Sequence, residues 1–405
     1  MQDVSPTQAT APQPMPPRAS GTRGRVSKFV IPDVIFGIGT LVEVGGAVRR
    51  VGGHRPMLIS DPGVLAAGWV DRALPHLADV GVRSRLWHDL TPNPKDFEVE
   101  AAFQSYREHG CDALLAIGGG SCIDVAKGVA VLSGNGGRIL DYEGIDRATN
   151  PIPPMVMVPT TGGSGADVSQ FCVVTDTERR LKVTIGGRAL VPEISLTDPE
   201  LLTTMPPELT AHTGLDALSH AIESCVSDAC DFLSKGHAVA AIEALTQYLP
   251  RAVQDPLDLD AREAIARASL QAGLAFTNAL LGATHAIAHQ IGGALDLPHG
   301  LLNAILMPHV MRFNAETHAG RYVDVARALG VPVAGLTPAA AAEAAIARVE
   351  ALARALDIPV GLRTLDVDQA EFGRFAVNAL RDAYITTNPR PVTEQDVRDI
   401  CTAAY

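Results

Sequence analysis

Paired cysteines are absent from the sequence. Six cysteines occur in 405 residues, none in a CxxC pair, and only Cys225 and Cys230 lie close together. This distribution fits reduced thiols better than a disulfide framework or a thiolate zinc site. We therefore expect a cytoplasmic protein without a cysteine metal site.

Long apolar runs and basic blocks are also absent. No uninterrupted apolar run approaches the roughly 20 residues of a transmembrane helix, and the formal net charge is −12. Neither membranes nor nucleic acid are expected as partners. The first 25 residues are rich in Pro, Ala, Ser and Thr and lack the apolar core of a secretion signal, which predicts a flexible tail.

The rest of the chain has a globular composition, with 47% apolar and 19% charged residues. Over residues 26–198, short apolar runs such as RPMLIS, DALLAIG and PMVMVP alternate with amphipathic segments, which predicts a parallel α/β domain. Over residues 199–405 the pattern is helical, and Thr337-Pro338 is a good helix start. The predicted fold class is therefore a Rossmann-like α/β domain followed by an all-helical domain.

A run of three glycines follows the buried strand DALLAI. Gly118, Gly119 and Gly120 allow the backbone to approach a ligand closely, and the following helix start attracts phosphate. The pattern is not GxGxxG, so a tight strand-to-helix turn without a ligand is an open alternative. Asp124 and Lys127 lie one helical turn apart and could pair on the surface.

A second polar turn, PTTGGSGADVS, also follows a strand and contains Thr160 and Thr161. It suits contacts to phosphate or ribose, although a flexible loop is the alternative. Asp61 ends a third strand, where its carboxylate either accepts hydrogen bonds from a ribose 2′-OH or caps the turn Asp61-Pro62-Gly63. Turns at the ends of parallel strands point to one crevice at the carboxyl edge of the sheet.

Histidines are concentrated in the helical half, where eight of the twelve fall between residues 212 and 318. Asp216 and His220 stand at i and i+4, as do His285 and His289, and such pairs project from one helix face. His299 follows a glycine-containing break. One carboxylate with imidazoles suits Fe²⁺, Zn²⁺ or Mn²⁺, although satisfied core histidines are the alternative. Five candidates exceed the usual four ligands, which leaves one for proton transfer.

In this order the motifs resemble the iron-containing (group III) alcohol dehydrogenase family, from about Phe36 to the C-terminus. The motifs are TPNP (91–94), GGGSCIDVAK (118–127), PTTGGSGADVS (159–169), LTDPELL (196–202), GLDALSHAIE (214–223) and HAIAHQIGGALDLPHG (285–300). The resemblance implies a dinucleotide-binding domain followed by a helical metal domain.

The resemblance also implies roles for single residues. It gives as metal ligands Asp216, His220, His285 and His299. His289 matches the family's non-ligand histidine beside the nicotinamide, and Asp61 matches the position that favours NAD over NADP. Asn93, Gly119, Gly120, Ser121, Thr160, Thr161 and Lys182 match cofactor-contacting positions; Gly118 and Asp124 belong to the same glycine turn and are assigned to the cofactor site with them.

Two departures from the family pattern affect the glycine turns. The first turn reads GGGSC where most relatives read GGGSP, and the second reads GGSGADVS where AGTGSEVT is common. Cys122 at the helix start is interpreted either as a small buried residue in place of the proline or as a thiol with a lowered pKa.

We therefore expect a metal-dependent, NAD-linked alcohol dehydrogenase or aldehyde reductase, with Fe²⁺ as the cofactor and Zn²⁺ as an alternative. His289 is expected to handle the proton. The expected partners are a small alcohol or aldehyde and further copies of the chain in a homodimer or higher oligomer. Two alternatives are a polyol or hydroxy-acid dehydrogenase of the same fold, including a form with tightly bound NAD, and a non-catalytic metal- and nucleotide-binding assembly protein.

Overall fold

The structure is a computed structural model that describes residues 28–405. The predicted flexible tail, residues 1–25, lies outside the described residues. The strands are β1 (Asp33–Phe36), β2 (Pro56–Ile59), β3 (Arg85–Trp87), β4 (Ala113–Gly118), β5 (Gly144–Ile145), β6 (Met155–Pro159), β7 (Phe171–Asp176), β8 (Leu181–Gly186) and β9 (Ile194–Thr197).

A parallel sheet forms the centre of the first half of the chain. Its strand order is β1-β9-β6-β4-β2-β3, and all of its strand pairs are parallel. Strands β4 and β6 are buried along their whole length, because helices and loops cover both faces of a parallel sheet. Gly118 pairs with Pro159 at their carboxyl ends, so the two predicted turns leave the sheet side by side.

A small second sheet was not anticipated from the sequence. Strands β7 and β8 form an antiparallel hairpin, and β5 joins its edge in the order β5-β8-β7. The connection is only four residues long, and Arg180 in it adopts a left-handed backbone with φ 54°. The hairpin carries Phe171 and Lys182 to the cleft beside the main sheet.

Five helices accompany the strands and nine more follow them within residues 28–405. The first five are α1 (Val44–Arg50), α2 (Pro62–Ala66), α3 (Trp69–Asp79), α4 (Asp96–Glu108) and α5 (Gly120–Asn135). The later nine are α6 (Pro207–Val226), α7 (Phe232–Gln254), α8 (Leu259–Ala279), α9 (Ala283–Leu295), α10 (His299–His318), α11 (Tyr322–Ala328), α12 (Pro338–Ala355), α13 (Phe372–Ala379) and α14 (Glu394–Ala403).

The hydrophobic core follows this division. One cluster consists mostly of buried residues from the helices α6 to α14. Two other clusters cover opposite faces of the main sheet. Thr337 caps α12 by accepting a hydrogen bond from the backbone N–H of Ala340, as predicted. The predicted fold class is confirmed. None of the helices of residues 28–405 is both long enough and apolar enough to cross a membrane.

Candidate active site

A cleft of about 1110 Å³ separates the carboxyl edge of the main sheet from the helical half. Its sheet side is lined by Asp61 and by both polar turns, and its helical side by residues of α6, α9 and α10. The predicted crevice and the predicted histidine cluster therefore face each other across one cavity.

Three of the predicted metal ligands come together on the helical side. Asp216 and His220 project from one face of α6, and His285 projects from α9. One donor atom from each residue lies within 4.8 Å of the others, and all three residues are buried. The rings of His220 and His285 stack with centroids 4.5 Å apart. This is the i, i+4 arrangement that the sequence predicts, completed by a second helix.

His299, the fourth predicted ligand, stands at the edge of this group. Its Nε2 lies 3.7 Å from Oδ1 of Asp216, while 23% of its side chain is open to the cleft. Its position at the start of α10 brings it toward the cluster from a third helix. The structure thus places His299 next to the other three ligands but outside the tightest group.

The electrostatics of the cluster favour neutral imidazoles. Burial lowers the pKa of His220 to about 4. Burial, with Lys182 nearby, lowers the pKa of His299 well below its usual range. Within the described residues, the buried Nδ1 atoms of His220 and His299 have no hydrogen-bond partner. Unprotonated ring nitrogens beside a carboxylate are the donor set that a divalent cation requires, so these residues fit an Fe²⁺ or Zn²⁺ ion.

Asn303 of α10 fills the space between the ligand atoms. Its Nδ2 lies 2.7 Å from Oδ1 of Asp216, 3.0 Å from Nε2 of His285 and 3.1 Å from Nε2 of His299. One electropositive group therefore already sits where donor atoms from three helices converge. This convergence of donor atoms also supports the conclusion that these residues fit a divalent cation.

Glu223 holds His285 from behind. Its Oε2 accepts hydrogen bonds from Nδ1 of His285 at 2.7 Å and from the backbone N–H of Gly282 at 3.1 Å, and its Oε1 accepts one from Thr284 N–H at 2.7 Å. Burial raises the pKa of Glu223, but the hydrogen bonds from His285 and Thr284 leave it below its usual range. The carboxylate therefore fixes the tautomer of His285 with Nε2 directed at the cluster.

His289 is held apart from the ligand group by a different carboxylate. Its Nδ1 lies 2.7 Å from Oδ2 of Asp382, and both side chains are 2% exposed. Its ring centroid is 6.4 Å from that of His285 and 5.2 Å from that of His299. His289 also lines the cleft, and its predicted role in proton transfer stays a prediction.

The glycine turn lies opposite the cluster. Helix α5 starts at Gly120 directly after β4, and Gly119, Gly120 and Ser121 line the cleft. An added Cβ on Gly119 would lie 3.1 Å from Thr161, and one on Gly120 would lie 2.9 Å from Ser164, so the two turns pack against each other. Thr160 and Thr161 also line the cleft.

Gly118 has a packing role and does not itself line the cleft. An added Cβ there would lie 2.3 Å from Sγ of Cys122, so the glycine lets helix α5 approach strand β4. The cofactor role predicted for Gly118 stays a prediction. The close approach of Cys122 explains why the smallest residue is needed at this turn.

Asp61 caps a helix, as one of its two predicted roles requires, and its predicted cofactor role stays a prediction. Its Oδ1 accepts hydrogen bonds from the backbone N–H groups of Gly63 and Val64 and so caps α2, while the residue also lines the cleft. Cys122 donates to its Oδ2 at 3.3 Å. Burial and the nearby Asp61 raise the pKa of the Cys122 thiol well above its usual range. The hypothesis of a lowered thiol pKa is wrong, because the thiol is buried and faces a carboxylate.

Asn93 and Lys182 meet at the junction of the two halves. Nζ of Lys182 donates to Oδ1 of Asn93 at 2.7 Å, and Nδ2 of Asn93 donates to Oδ1 of Asp296 at 2.8 Å. Burial lowers the pKa of Lys182 to about 8. Both predicted cofactor residues line the cleft, and Asn93 also joins the sheet half to the end of α9.

Asp124 and Lys127 do not form a surface pair. Lys127 is fully buried and donates to the backbone oxygens of Ser169 and Phe171 at 2.6 and 2.9 Å, so it ties α5 to the second polar turn. Asp124 lines the cleft, and burial raises the pKa of its carboxyl to about 7. The surface alternative was wrong because the helix face that carries both residues packs against β7.

Comparison with known proteins decides the family. Sequence models described as "Iron-containing alcohol dehydrogenase" and "Fe-containing alcohol dehydrogenase family, C-terminal" match residues 32–199 and 210–405. The chain belongs to the iron-containing alcohol dehydrogenase family. It is 38% identical to a 1,3-propanediol dehydrogenase of Klebsiella pneumoniae, over 94% of this chain and 99% of that protein.

Other members of the iron-containing alcohol dehydrogenase family give the same result. An NAD-dependent methanol dehydrogenase of Bacillus methanolicus is 36% identical, over 92% of this chain and 98% of the relative. The crystal structure of a 1,3-propanediol oxidoreductase superposes with a TM-score of 0.91 at 38% identity, covering 94% of this chain and all of that one. The predicted family, alcohol dehydrogenase activity, NAD and iron are confirmed. Zinc and the roles of single residues stay predictions.

Sequence reasoning missed three buried residues of the site: Glu223, Asn303 and Asp382. A signal for Glu223 was present, since Asp216, His220 and Glu223 follow one another at i, i+4 and i+7 on one face of α6. Asn303 follows His299 by four residues in α10, so the same helical spacing could have placed the two side chains on one face. Asp382 had none, because 93 residues separate it from His289.

Proposed function

We propose that the protein oxidises a small alcohol with NAD, or reduces the corresponding aldehyde with NADH, at a metal ion held by Asp216, His220, His285 and His299. The observation that carries this proposal is the convergence of three buried donor groups from α6 and α9 within 4.8 Å, facing the glycine turn across one cleft. A bound Fe²⁺ or Zn²⁺ ion would supply Lewis acidity for loss of the hydroxyl proton, and bound NAD would supply the hydride acceptor.

His289 and Asp382 handle the proton in this proposal. The Asp382 carboxylate holds Nδ1 of His289 and stabilises the imidazolium that forms when Nε2 takes up a proton. The dyad is nearly dry, so the proton leaves through the open part of the cleft. Tyr384 and His299 flank the His289 ring at 5.6 and 5.2 Å and fix its orientation.

The sheet side of the cleft holds NAD. Gly119, Gly120 and Ser121 present the start of α5 to the pyrophosphate, with Thr160 and Thr161 beside them. The Asp61 carboxylate repels a 2′-phosphate and so favours NAD over NADP. Asp124, Asn93 and Lys182 line the part of the cleft that leads toward the metal ligands.

The proposal also covers the division of the chain into domains, its location in the cell and its oligomeric state. Residues 26–198 bind the dinucleotide and residues 199–405 hold the metal. The protein works in the cytoplasm as a homodimer or higher homo-oligomer, with a small alcohol or aldehyde as its other partner. The two relatives named above act on propanediol or on methanol, which supports a short alcohol.

Metal replacement combined with one histidine variant tests the function. The protein is stripped of metal, reloaded with Fe²⁺ or Zn²⁺ and assayed for NADH formation over short alcohols, diols and hydroxy acids. His285→Ala should lose both metal and activity. His309→Ala is the matched control, since His309 lies on α10 away from the cleft. Full activity of metal-free His285→Ala protein would reject the proposal.

A further inference from the structure

A buried thiol stands at the start of helix α5, beside the sheet side of the cleft. Cys122 is the third residue of α5 and is fully buried. An added Cβ on Gly118 would lie 2.3 Å from Sγ of Cys122 and 3.6 Å from Oδ2 of Asp61. The glycine therefore leaves room for the thiol and the carboxylate to meet at the carboxyl end of β4.

The thiol is hydrogen-bonded to the carboxylate of Asp61. Sγ of Cys122 donates to Oδ2 at 3.3 Å, while Oδ1 accepts from the backbone N–H groups of Gly63 and Val64 at 2.8 and 3.0 Å. One oxygen of the carboxylate is thus held by the start of α2 and the other by α5. Rotation of the carboxylate would break contacts to both helices, so these contacts fix its plane.

The thiol acts as a donor and leaves Asp61 its negative charge. Burial, together with the nearby Asp61, raises the pKa of the Cys122 thiol well above its usual range, so the S–H proton stays in place. A thiol is a weak donor, and a carboxylate oxygen can accept more than one hydrogen bond. Oδ2 therefore keeps the capacity to accept a hydrogen bond from a ligand in the cleft, which Asp61 lines.

The same hydrogen bond joins two neighbouring strand ends. Asp61 follows β2 and Cys122 lies in the helix after β4, and these strands pair with Ile59 opposite Ala116. Nucleotides bind at the carboxyl ends of parallel strands, so this contact lies where a cofactor is expected. It couples the helix start proposed for the pyrophosphate to the carboxylate proposed for the ribose.

We propose that Cys122 is a positioning residue for NAD, whose thiol holds the Asp61 carboxylate in the orientation that accepts hydrogen bonds from the ribose hydroxyl groups. Cys122 is not one of the described residues that line the cleft, so it acts through Asp61 and touches neither the cofactor nor the reacting atoms. The inference rests on the proposed function, because it needs Asp61 to face the ribose of NAD.

Substitution of Cys122 tests the proposal, with NAD titrated into the iron-loaded enzyme by calorimetry. Cys122→Ala removes the donor and should raise the dissociation constant and the KM of NAD by about 3-fold to 10-fold, the effect of one hydrogen bond. The kcat should stay within about 2-fold, because the change weakens binding without touching a reacting atom. Cys122→Ser keeps a donor at this position and should return the dissociation constant to within about 2-fold of the wild type.

Two further variants separate the hydrogen bond from packing. Cys401→Ala in α14 deletes a thiol that is equally buried, and it should leave the affinity for NAD unchanged. In an Asp61→Ser background, Cys122→Ala should change the affinity by less than about 2-fold, because the thiol has then lost the carboxylate through which it acts. An equal loss in Cys401→Ala, or an undiminished effect in the Asp61→Ser background, overturns the proposal.

Binding and activity together separate failure of this inference from failure of the proposed function. NAD binding that Cys122→Ala leaves unchanged, or that Cys122→Ser fails to restore, overturns the role of the thiol, while alcohol oxidation by the same samples leaves the function intact. A protein that binds NAD with the expected pattern but oxidises no alcohol supports the inference and rejects the function. A wild-type protein that does not bind NAD overturns both.

Discussion

Two buried carboxylates hold two histidines of one helix, for which we propose different roles. Glu223 binds Nδ1 of His285, and Asp382 binds Nδ1 of His289, with the same separation of 2.7 Å. We expect the roles to differ because Nε2 of His285 lies 3.8 Å from Oδ1 of Asp216, while His289 lies outside the group of candidate ligands. In this proposal the surroundings of each ring, more than the ring itself, decide between metal ligation and proton transfer.

Asp382→Asn should separate proton transfer from metal binding. The amide keeps the shape but stabilises the imidazolium less, so kcat should fall about 10-fold to 100-fold and the acid limb of its pH profile should move. Metal content, measured by atomic emission, should stay at the wild-type level. Loss of metal in this variant would instead show that His289, held by Asp382, takes part in binding the metal.

Glu223→Gln should weaken metal binding. Removing the charge behind His285 lowers the basicity of its ring and releases its orientation, so metal affinity should fall about 10-fold to 100-fold. Competition with a fluorescent chelator measures the change. A metal affinity equal to that of the wild type would show that the negative charge of Glu223 is not needed to orient His285.

Asp61→Ser should relax the choice of cofactor without unfolding the turn. Serine still caps α2, but it removes the negative charge that opposes a 2′-phosphate. The kcat/KM ratio of NADP to NAD should rise by about 10-fold, the effect of removing one close like-charge contact. An unchanged ratio, with a normal melting temperature, would assign Asp61 to the cap alone.

The packing of one helix against another sets the distances between the candidate metal ligands. Helix α10 starts at His299 against α6, where an added Cβ on Gly300 would lie 2.2 Å from the backbone oxygen of His212. Backbone cannot move aside as a flexible side chain can. The distance between α6 and α10, and with it the distance from Asp216 to His299, therefore depends on this glycine.

Gly300→Ala should push α10 away from α6. The overpacked contact should lower the free energy of unfolding by about 1–3 kcal/mol and should also weaken metal binding. Gly236→Ala on α7 is the matched control, because an added Cβ there meets nothing within 4 Å. That change should stabilise the protein by about 0.5–1 kcal/mol. Denaturant titrations measure both effects, and equal behaviour of the two variants would contradict this account.

The cleft forms only when the sheet half and the helical half of the chain pack against each other. Asp296 at the end of α9 accepts hydrogen bonds from Asn93 and Lys95 across the cleft, at 2.8 and 3.1 Å. Both Asn93 and Asp296 adopt left-handed backbones, with φ 55° and 54°. The contact therefore holds two less favourable conformations in place and joins the nucleotide side to the metal side.

Ligands of either side should stabilise the folded chain. Metal or NAD present at about 100 times its dissociation constant should raise the free energy of unfolding by about 2.7 kcal/mol, because neither binds the unfolded chain well. Thermal unfolding with and without a chelator measures this. His285→Ala should lose the response to metal and keep the response to NAD; a lost NAD response would mean that the two halves do not fold independently of the metal site.

Much of the site followed from local sequence. Helical spacing placed Asp216 with His220 on one face of α6, and glycines after a buried strand marked the start of α5. The hairpin of β7 and β8 was missed, because an alternating pattern does not distinguish an added antiparallel sheet from further parallel strands. Surface pairing of Asp124 and Lys127 stayed an open alternative at the level of sequence, because spacing does not reveal which helix face is covered.

The sequence by itself determined the fold class, the family, the candidate ligand types and the two polar turns that line the cleft, since each depends on residues close together in the chain. Only the tertiary structure decided that Asp382 serves His289, that Asn303 lies among the ligands, and that Phe171, Phe276 and Tyr384 form one wall. These contacts join segments from different helices and strands. Their energies depend on burial and distance, which local periodicity does not encode.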